Sequence, residues 1–319
     1  MQMHPTYLYV VPMFHCNGWG HAWMMAILAG TVICCRKIAA EVIYPLLHEH
    51  KVTHFGGAPI VLSLLVNAPD AEKPKLDYKV NAFTAGAPPP AAILQKMTEM
   101  GFEVTQVYGL TETYGHVTQC VWREEWDTLS SAEQADLQSW QGVGLPMHEG
   151  AAVMNTDTGE LVPRDGKTQG EIVLRGNAVM KGYYKDKDAT RAAMHDGWFF
   201  SGDGAVWHDN GYIQIKDRLK DVIISGGENI SSVEVENYLY RHPAVAAAAV
   251  VAKADEKWGE VPCAFVELKS GESVSEEEFL EWCRGEMAGF KRPKQVVFGE
   301  LPKTSTGKIQ KFVLRQKVQ

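Results

Sequence analysis

The stretch EVTQVYGLTETYGH, residues 103–116, passes from an apolar strand-like run into a polar loop. EVTQV is a short run closed by glycine, which is typical of a β-strand. The loop that follows presents Tyr108, Thr111 and Glu112, whose side chains suit a purine face, phosphate oxygens and Mg²⁺. The same residues also fit a plain polar loop in which a threonine and a glutamate only cap a turn. A function for this loop therefore depends on its surroundings.

Upstream of this stretch, β-like runs alternate with helix-like runs. The predicted strands are TYLYVV (6–11), TVICC (31–35), VTHFGG (52–57), VNAFTAG (80–86) and EVTQVYG (103–109), and the predicted helices are HAWMMAILAG (21–30), EVIYPLLHEH (41–50), PIVLSLLVNA (59–68) and AAILQKMTEM (91–100). This alternation predicts an α/β layer with parallel strands over residues 1–120. Ligands bind such sheets beyond the carboxyl ends of the strands, so PMFHCNGW, TAGAPPP and YGLTET are the loops to examine.

Downstream, the sequence changes character twice. Residues 121–217 contain a hairpin signal, VMNTDTGELV, and short glycine-rich strands such as GEIVLRG, which predict a small antiparallel barrel or sheet. From about residue 220 a compact α+β unit is expected. Its predicted strands are AVAAAAVVAKAD and VPCAFVELK, and its capping boxes are Ser231 with Glu234 and Ser275 with Glu278. The predicted domains are therefore residues 1–219 and 220–319.

Composition excludes several classes of protein. The chain has 319 residues, 31 basic and 39 acidic side chains, and a net charge of −8, which argues against broad nucleic-acid or anionic-membrane binding. The six cysteines form no C-x-x-C pair and no zinc spacing, which favours reduced thiols in the cytoplasm. The opening residues lack the pattern of a signal peptide, and no run approaches the roughly 20 apolar residues of a membrane span.

Three further segments carry groups that permit either a functional or a structural interpretation. Asp203 in SGDG can accept hydrogen bonds from ribose hydroxyls, although an aspartate on a plain β-turn is the commoner case. The charged run IKDRLKDVIISGGENIS is either a solvated linker or a hinge. TSTGK at residues 304–308 is not a phosphate-binding P-loop, because no glycine stands five residues before Gly307 and Ile309 replaces the required Ser or Thr.

Taken together and in this order, these segments resemble the adenylate-forming acyl-CoA synthetases. The likeness is greatest to the branch of medium-chain fatty acyl-CoA ligases and methylmercaptopropionate-CoA ligase, and the polar insert at residues 121–146 fits that branch. The motifs that carry the resemblance are FHCNGW, AGAPPP, YGLTET, GWFFSGD, DRLKDVIISGGENIS and PKTSTGK. The resemblance implies a partial adenylate-forming fold, with an α/β layer, an antiparallel β-rich part and a mobile α+β lid. It also implies ATP, Mg²⁺ and coenzyme A as cofactors and a small carboxylic acid as substrate.

For the first half-reaction, the resemblance assigns groups that bind ATP and activate the acid. Tyr108 would stack on adenine, Thr111 would touch phosphate and Glu112 would hold Mg²⁺. Lys308 would enter the site with the lid and contact the carboxylate and the transferring phosphate. The remaining nucleotide-binding residues would be Gly86, Ala87, Pro88, Gly109, Asp203 and Arg218.

For thiol transfer, the resemblance assigns Lys220 as the hinge about which the C-terminal domain swings. Gly226, Gly227 and Glu228 would line the arm of coenzyme A, because glycine permits close backbone approach. The acyl pocket would include Trp19, Gly109 and His116, with His15 as a gate beside the reacting groups. Core packing is the alternative role for Trp19.

One family feature has no match: the Ser/Thr/Gly-rich phosphate loop that precedes FHCNGW in family members. We therefore expect part of the acyl pocket and several strands to be missing, with exposed sheet edges that favour association into a homo-oligomer. Two hypotheses follow: a shortened acyl-CoA synthetase, favoured because Glu112, Lys220 and Lys308 are all present, or a non-catalytic nucleotide- or CoA-binding module. A peptide-synthetase adenylation domain or a luciferase-like enzyme fits FHCNGW and the polar insert less well.

Overall fold

The structure is a computed structural model that describes residues 3–73, 75–87, 89–304 and 307–318. The apolar runs of the first 144 residues pair into one sheet. Its strands are β1 (Thr6–Tyr9), β2 (Thr31–Cys34), β3 (His54–Gly57), β4 (Val80–Thr84), β5 (Phe102–Leu110), β6 (Gly115–Gln119) and β7 (Val143–Gly144). They lie in the order β2-β1-β3-β4-β5-β6-β7. β1 to β5 run parallel, as predicted, and β6 and β7 extend the sheet in the antiparallel sense.

Helices cover the two faces of this sheet unequally. They are α1 (Cys16–Trp19), α2 (His21–Ile27), α3 (Ala40–Glu49), α4 (Pro59–Val66), α5 (Ala91–Glu99) and α6 (Ser131–Gln138). α3 to α6 pack on one face, where Leu8, Phe55 and Val104 lie in a common buried core. The opposite face carries Tyr7 and Tyr9, which pack against Met25 of α2. This division follows from the alternation of side chains along each strand.

A second, antiparallel sheet follows, as the sequence predicted. Its strands are β8 (Gly150–Met154), β9 (Gln169–Arg175), β10 (Met194–His195), β11 (Trp198–Trp207) and β12 (Ile213–Arg218), with helix α7 (Lys187–Ala193) between β9 and β10. β11 shifts register against β9 between Phe200 and Gly204, so the SGDG segment forms an irregularity in the ladder. Such bulges re-aim side chains, and this one lies at Asp203.

The remainder is an α+β unit around the two long predicted strands. Its elements are β13 (Ile223–Ser225), β14 (Glu228–Ile230), α8 (Ser232–Leu239), β15 (Val245–Asp255), β16 (Gly259–Leu268), α9 (Glu276–Glu286), β17 (Gln295–Phe298) and α10 (Lys311–Gln316). The sheet order is β14-β13-β16-β15, and β17 pairs with β16 in parallel. In the described chain, compact packing divides the molecule into an N-terminal unit, residues 1–215, and a C-terminal unit, residues 216–319. The boundary predicted after residue 219 stays a prediction.

Local sequence signals account for several helix ends. Ser275 and Glu278 form the predicted capping box of α9, and Ser231 accepts a hydrogen bond from the Glu234 amide at the start of α8. α6 lies in the polar insert, where no helix was predicted, although its Ser130–Glu133 spacing is the same capping signal. No helix within the described ranges is long and apolar enough to cross a membrane.

The FHCNGW segment has an unusual backbone. Cys16, Asn17, Gly18, Trp19 and Gly20 all have positive φ angles, between 46° and 71°. This left-handed turn is costly for residues that carry a Cβ, by roughly 1–2 kcal/mol each, and less so for asparagine. A β-carbon added at Gly18 would lie 2.6 Å from Cε1 of the buried Tyr9 ring, whereas one added at Gly20 would meet nothing within 4 Å. Strain of this kind collects at functional sites.

The two glycines give a matched test of this turn. Gly18→Ala should destabilise the N-terminal unit by about 2–4 kcal/mol, because the added methyl clashes with Tyr9 in addition to straining the backbone. Gly20→Ala carries the backbone term alone and should cost about 1 kcal/mol. Urea unfolding followed by tryptophan fluorescence measures both. Equal losses in the two variants would contradict the close packing of Gly18 on Tyr9.

Candidate active site

Two predicted site loops meet beyond the carboxyl ends of β1 and β5. The side-chain Nδ2 of Asn17 donates to the Tyr114 hydroxyl at 3.2 Å. The Trp19 ring lies edge-on to the His116 ring, with centroids 5.0 Å apart. His15, which is partly buried, begins the strained turn. The structure therefore brings FHCNGW and YGLTETYGH together, and it places the predicted pocket residues Trp19 and His116 in contact.

The polar side chains of the YGLTET loop have different roles: one caps the turn, and the others are accessible at its surface. Thr113 caps the 3₁₀ turn Thr111–Thr113: its hydroxyl donates to the Leu110 carbonyl and accepts from the Leu110 amide. Thr111 remains exposed, and Glu112 accepts a hydrogen bond from the Tyr183 hydroxyl at 3.1 Å. The capping role thus belongs to Thr113, and the two residues predicted to contact phosphate and Mg²⁺ are left on the surface of the turn.

Gly109 is required by the close approach of two strands. A β-carbon on Gly109 would lie 1.7 Å from the carbonyl oxygen of Gly115. The β5–β6 ladder shifts register at this position, between Tyr108 and Gly109. A side chain here would therefore push apart the hairpin that presents Glu112. Packing of the hairpin is a structural reason for this glycine, and its predicted nucleotide contact stays a prediction.

Tyr108 and Asp203 connect the two sheets of the N-terminal unit. The Tyr108 hydroxyl donates to Oδ2 of Asp203 at 2.7 Å, and both residues are buried. The Asp203 amide in turn donates to Ser201 Oγ at 3.2 Å, and Ser201 Oγ donates to the Ile172 carbonyl at 2.8 Å. The SGDG segment is thus a fixed part of the β9–β11 ladder rather than a free turn.

Glu171 is a buried carboxylate that the sequence did not single out. It lies on β9 and accepts a hydrogen bond from the Gly202 amide at 2.7 Å. Burial raises the pKa of Glu171, the Gly202 amide opposes the shift, and the neighbouring Asp203 adds to it. Its position inside the quoted strand GEIVLRG was the available signal, since acidic side chains are rarely buried without a role.

An open pocket of about 570 Å³ adjoins these groups. Its lining includes Glu112, Glu171, Tyr183, Ser201 and Gly202. The volume lies within the range of small-molecule and cofactor sites. The pocket shows that Glu112 and the SGDG segment face common space, although 89 residues separate Glu112 from Ser201 in the sequence. Tyr183, whose hydroxyl touches Glu112, was also missed by sequence reasoning.

The TAGAPPP loop is described only in part. Gly86 has a φ of 92°, which favours glycine, and a β-carbon there would meet no atom within 4 Å. Ala87 follows it in a bend at the carboxyl end of β4. Pro88, predicted to line the adenine site, lies outside the described residues. The predicted adenine contacts of these residues stay predictions.

Behind the two loops lies a cluster of histidines on the sheet face that carries Tyr7. The Tyr7 hydroxyl and His21 Nδ1 are 2.8 Å apart, and the ring of His21 lies 6.3 Å from that of His116. His54 stacks on Phe83, which also contacts His21. Burial lowers the pKa of His21 and of His116 to about 4, and for His21 the neighbouring histidines add to the shift. The cluster is therefore built for neutral imidazoles.

In the C-terminal unit, Asp217 fixes the segment that contains Arg218 and the predicted hinge Lys220. The buried Asp217 carboxylate accepts hydrogen bonds from the Ser232 amide at 2.5 Å and from the Arg218 amide at 2.7 Å. Lys220 is exposed on the 3₁₀ turn Leu219–Asp221. The bond between Asp217 and Ser232 joins residues on the two sides of Lys220, and the hinge role of Lys220 stays a prediction.

Gly226 and Gly227 form a two-residue hairpin between β13 and β14. Their φ angles are 60° and 87°, the conformation of a type I′ turn, which favours glycine at both positions. A β-carbon on Gly226 would lie 2.7 Å from the Trp258 ring. Turn geometry and Trp258 therefore explain these glycines structurally, and the predicted coenzyme A contacts of Gly226, Gly227 and Glu228 stay predictions.

Lys308 is exposed at the end of a small closed loop. The Thr304 amide donates to the Lys308 carbonyl at 2.8 Å, and the Lys308 amide donates to Thr304 Oγ1 at 3.1 Å. Residues 305 and 306, in the quoted TSTGK, lie outside the described residues. On one side of the loop, Lys303 pairs with Glu267 at 2.7 Å. The loop thus presents the lysine from an anchored base.

A second anchor lies on the other side, in α10. Lys311 Nζ is 2.7 Å from Glu236 and 2.6 Å from Ser232 Oγ, and both members of the ion pair are mostly buried. Burial alone would lower the pKa of Lys311, but the carboxylates of Glu236 and Asp217 outweigh it and raise that pKa. Arg315, one turn further on, pairs with Asp221. We call Lys311, Glu236, Asp217 and Ser232 the Lys311 cluster.

The candidate site does not include a preformed metal cage. Among the described residues, no group of three or more His, Cys, Asp or Glu side chains is placed to hold a metal ion. Mg²⁺ in nucleotide sites is commonly held by one or two carboxylates and the substrate phosphates. A single carboxylate, that of Glu112, is enough for this pattern.

Comparison with known proteins identifies two matching families. The family described as "AMP-binding enzyme" matches residues 1–184, and the one described as "AMP-binding enzyme C-terminal domain" matches residues 234–308. An acetate–CoA ligase of Humulus lupulus is 54% identical over 317 residues, which are 98% of this chain and 56% of that protein. A peroxisomal acetate/butyrate–CoA ligase of Arabidopsis thaliana is 52% identical, over 99% of this chain and 57% of that protein. The chain thus spans little more than half the length of these relatives.

Solved structures show the same fold. MatB from Rhodopseudomonas palustris with bound ATP has a TM-score of 0.84 and 27% identity, and the match covers 99% of this chain and 60% of that one. An o-succinylbenzoate CoA synthetase of Bacillus subtilis, in complex with an acyl-adenylate intermediate, has a TM-score of 0.80 and 28% identity, over 100% of this chain and 61% of that one. The adenylate-forming fold predicted from the motifs is confirmed.

The histidine cluster predicts acid sensitivity. A histidine whose pKa falls from 6.5 in the unfolded chain to about 4 in the folded one stabilises the fold above pH 6.5. That contribution is lost as the pH falls toward 4, by about 3 kcal/mol for His21 alone. Urea unfolding between pH 7 and pH 4.5 should show this loss, and His21→Phe should reduce the pH dependence by the His21 part while that of His116 remains. An equal pH dependence in both proteins would contradict the neutral cluster.

The Lys311 cluster predicts a large effect from a single cation. Lys311→Met leaves Glu236 and Asp217 buried without their counter-ion and should destabilise the C-terminal unit by about 3–5 kcal/mol. Arg284→Met removes an exposed pair with Glu281 in the same unit and should cost less than about 1 kcal/mol. Hydrogen exchange at the amides of α8 and α10 measures both. Equal protection in the two variants would show that the cluster does not anchor α10.

Proposed function

The chain belongs to the AMP-binding enzyme family, and on that premise we propose that it acts in ATP-dependent acid–thiol ligation. The reaction joins a short- or medium-chain carboxylic acid to AMP and then transfers the acyl group to coenzyme A. Because the chain spans little more than half of its relatives' length, activity, substrates and cofactors are all parts of this proposal. The relatives are named for acetate and butyrate, which supports a short aliphatic acid.

The observation that carries the proposal is the hydrogen bond between Tyr108 and Asp203. It joins residues 95 positions apart, and each comes from a segment assigned to nucleotide binding. The neighbouring pocket is lined by Glu112 and by Ser201 and Gly202, the two residues that precede Asp203. A capping or turn role explains Thr113, but it does not explain why Tyr108 pairs with Asp203 beside a pocket that Glu112 lines.

In the first half-reaction, a carboxylate oxygen of the acid attacks the α-phosphorus of ATP, and the bond to pyrophosphate breaks. We assign Asp203 and Arg218 to the ribose, Tyr108 to adenine and Thr111 to a phosphate oxygen. Glu112 would hold Mg²⁺, which screens the phosphate charge. The Lys308 ammonium would stabilise negative charge on the carboxylate and the α-phosphate as the new bond forms.

In the second half-reaction, the thiol of coenzyme A attacks the acyl carbonyl, the thiol proton is lost, and AMP leaves. We assign the Gly226–Glu228 hairpin to the thiol arm and Lys220 to the hinge that exchanges the two steps. His15, Trp19 and His116 would shape the acyl pocket, and the neutral imidazole of His116 suits an uncharged chain. A cytoplasmic location is also part of the proposal. One relative is peroxisomal by name, so the compartment is not settled by the relatives.

The test is acyl-CoA formation by the purified chain with ATP, Mg²⁺, coenzyme A and a panel of acids from acetate to octanoate. Lys308→Ala should lower turnover at least about 100-fold, because one charge-stabilising donor is lost from the transition state. Lys317→Ala, an exposed lysine of the same unit, is the control and should leave turnover unchanged.

AMP binding, measured by calorimetry, separates the two functions that the sequence left open. Asp203→Ala should weaken AMP binding under both. Absent turnover together with AMP binding that depends on Asp203 would favour the non-catalytic nucleotide-binding module. Absence of both would contradict the proposed site.

A further inference from the structure

We propose that Tyr183 is a positioning residue that holds the Glu112 carboxylate in the direction in which it binds Mg²⁺. This role rests on the proposed function, in which Glu112 holds that cation. Tyr183 lies outside the six motifs that carry the family resemblance. It belongs to the connection between β9 and α7, residues 176–186, which we call the β9–α7 segment.

The β9–α7 segment contacts Glu112 at two points. The Met180 amide donates to the backbone carbonyl of Glu112 at 2.7 Å, and the Tyr183 hydroxyl donates to Oε1 of the Glu112 side chain at 3.1 Å. The second bond joins residues 71 positions apart. One contact fixes the backbone of Glu112 and the other fixes its carboxylate. The same segment therefore sets both the origin and the direction of this side chain.

The β9–α7 segment is itself anchored on both sides of these contacts. Before them, Met180 packs against the buried core that includes Tyr108. After them, the Tyr183 amide donates to Thr190 Oγ1 at 2.9 Å, and Thr190 Oγ1 donates to the Asp186 carbonyl at 2.6 Å. The backbone of the tyrosine is thus held by α7, so the position of its hydroxyl does not depend on the bond to Glu112 alone.

Gly182 allows the chain to approach Thr190 closely. Its φ is 146°, and a β-carbon added there would lie 2.6 Å from Cγ2 of Thr190. Because Thr190 is held by its hydrogen bonds, a side chain at this position would push the chain away from α7. The bond between Tyr183 and Glu112 therefore depends on a close approach that glycine permits.

The neighbouring Tyr184 shows that a tyrosine of this segment does not reach Glu112 simply by its place in the sequence. Tyr184 is 87% exposed, and its ring lies 5.2 Å from the Lys185 ammonium. Tyr183 is 39% exposed and lines the same pocket as Glu112. Two adjacent residues of one type thus have different environments, which gives a matched pair of variants.

The hydrogen bond is compatible with a carboxylate that also binds a cation. An ionised carboxylate has two oxygens and accepts several bonds, so Glu112 can keep the tyrosine while it binds Mg²⁺. Mg²⁺ demands near-ideal geometry and takes few protein ligands in nucleotide sites, so the direction of a single carboxylate matters. Carboxylates that bind metals are in turn hydrogen-bonded, and loss of such a partner typically lowers metal affinity by about 10–100-fold.

A masking role is the alternative for Tyr183. Its hydroxyl would then compete with the cation for the carboxylate, and removal of the hydroxyl would strengthen metal binding. The contact from Met180 favours the positioning role, because it fixes the Glu112 backbone without occupying the carboxylate. The two roles predict opposite effects of one substitution.

The experiment measures the Mg²⁺ concentration that half-saturates ATP binding to the purified chain, by calorimetry. Tyr183→Phe removes the hydroxyl and keeps the ring, and it should raise that concentration at least about tenfold. AMP binding without divalent cations should stay unchanged in this variant. Tyr184→Phe is the matched control and should behave like the original chain in both measurements.

A double variant tests whether Tyr183 acts through Glu112. Glu112→Gln should itself raise the Mg²⁺ requirement, and Tyr183→Phe added to it should raise that requirement little further, because coupled residues do not act additively. A purely structural role for Tyr183 would instead lower the melting temperature and weaken AMP and ATP binding together.

Three results would overturn the positioning role. They are an unchanged or lower Mg²⁺ requirement in Tyr183→Phe, an equal loss of AMP and ATP binding in that variant, and an original chain in which ATP binding does not depend on Mg²⁺. Acyl-CoA formation is measured separately. Its absence in an original chain that binds ATP with Mg²⁺ would contradict the proposed function, while the binding measurements would still decide the role of Tyr183.

Discussion

The hydrogen bond from Tyr108 to Asp203 is the constraint on which the N-terminal unit's site depends. Tyr108 lies near the carboxyl end of β5, the last parallel strand of the α/β sheet, and Asp203 lies at the irregularity of the second sheet. Glu171 and Ser201 hold that irregularity from the second sheet, and Gly109 permits the tight hairpin on the first. Because the bond is buried, an unpaired partner on either side would cost the full desolvation of a polar group. The two sheets are therefore fixed in the one arrangement that makes Glu112 and the SGDG segment line a common pocket.

In the C-terminal unit, the main constraint is on the loop that carries the exposed Lys308. Lys308 sits on a loop closed by Thr304, and ion pairs anchor the chain on both sides of it, through Lys303 and Lys311. The Lys311 cluster includes Asp217, which is also the last fixed point before Arg218 and Lys220. One buried group of charges thus ties α10, the helix that follows Lys308, to Asp217.

Periodicity and turn residues were sufficient to predict the strands and helices of the α/β layer, the long strands β15 and β16, and the loop that carries Glu112. They predicted a turn at Asp203, which the structure places within strand β11. They were insufficient wherever the outcome depended on partners far apart in sequence. Lys311 and Glu236 look like solvated charges until the fold buries them together. Glu171 reaches the pocket from β9 of the second sheet, and Tyr183 reaches it from the segment between β9 and α7. The left-handed turn at residues 16–20 has no pattern of its own, because cysteine and tryptophan rarely adopt positive φ and only packing can impose it.

The strained turn leads directly into α2, and the packing of that helix opposes the strain. Cys16 and Trp19 in left-handed geometry cost roughly 2–4 kcal/mol together, and Asn17 adds less. α2 follows the turn through Gly20, and its Met25 is buried against Tyr7 and Tyr9. Burying a side chain the size of methionine contributes roughly 1.5–3 kcal/mol. The contact of Met25 with the two tyrosines is therefore comparable in energy to the strain, and it holds in place the turn that carries Trp19.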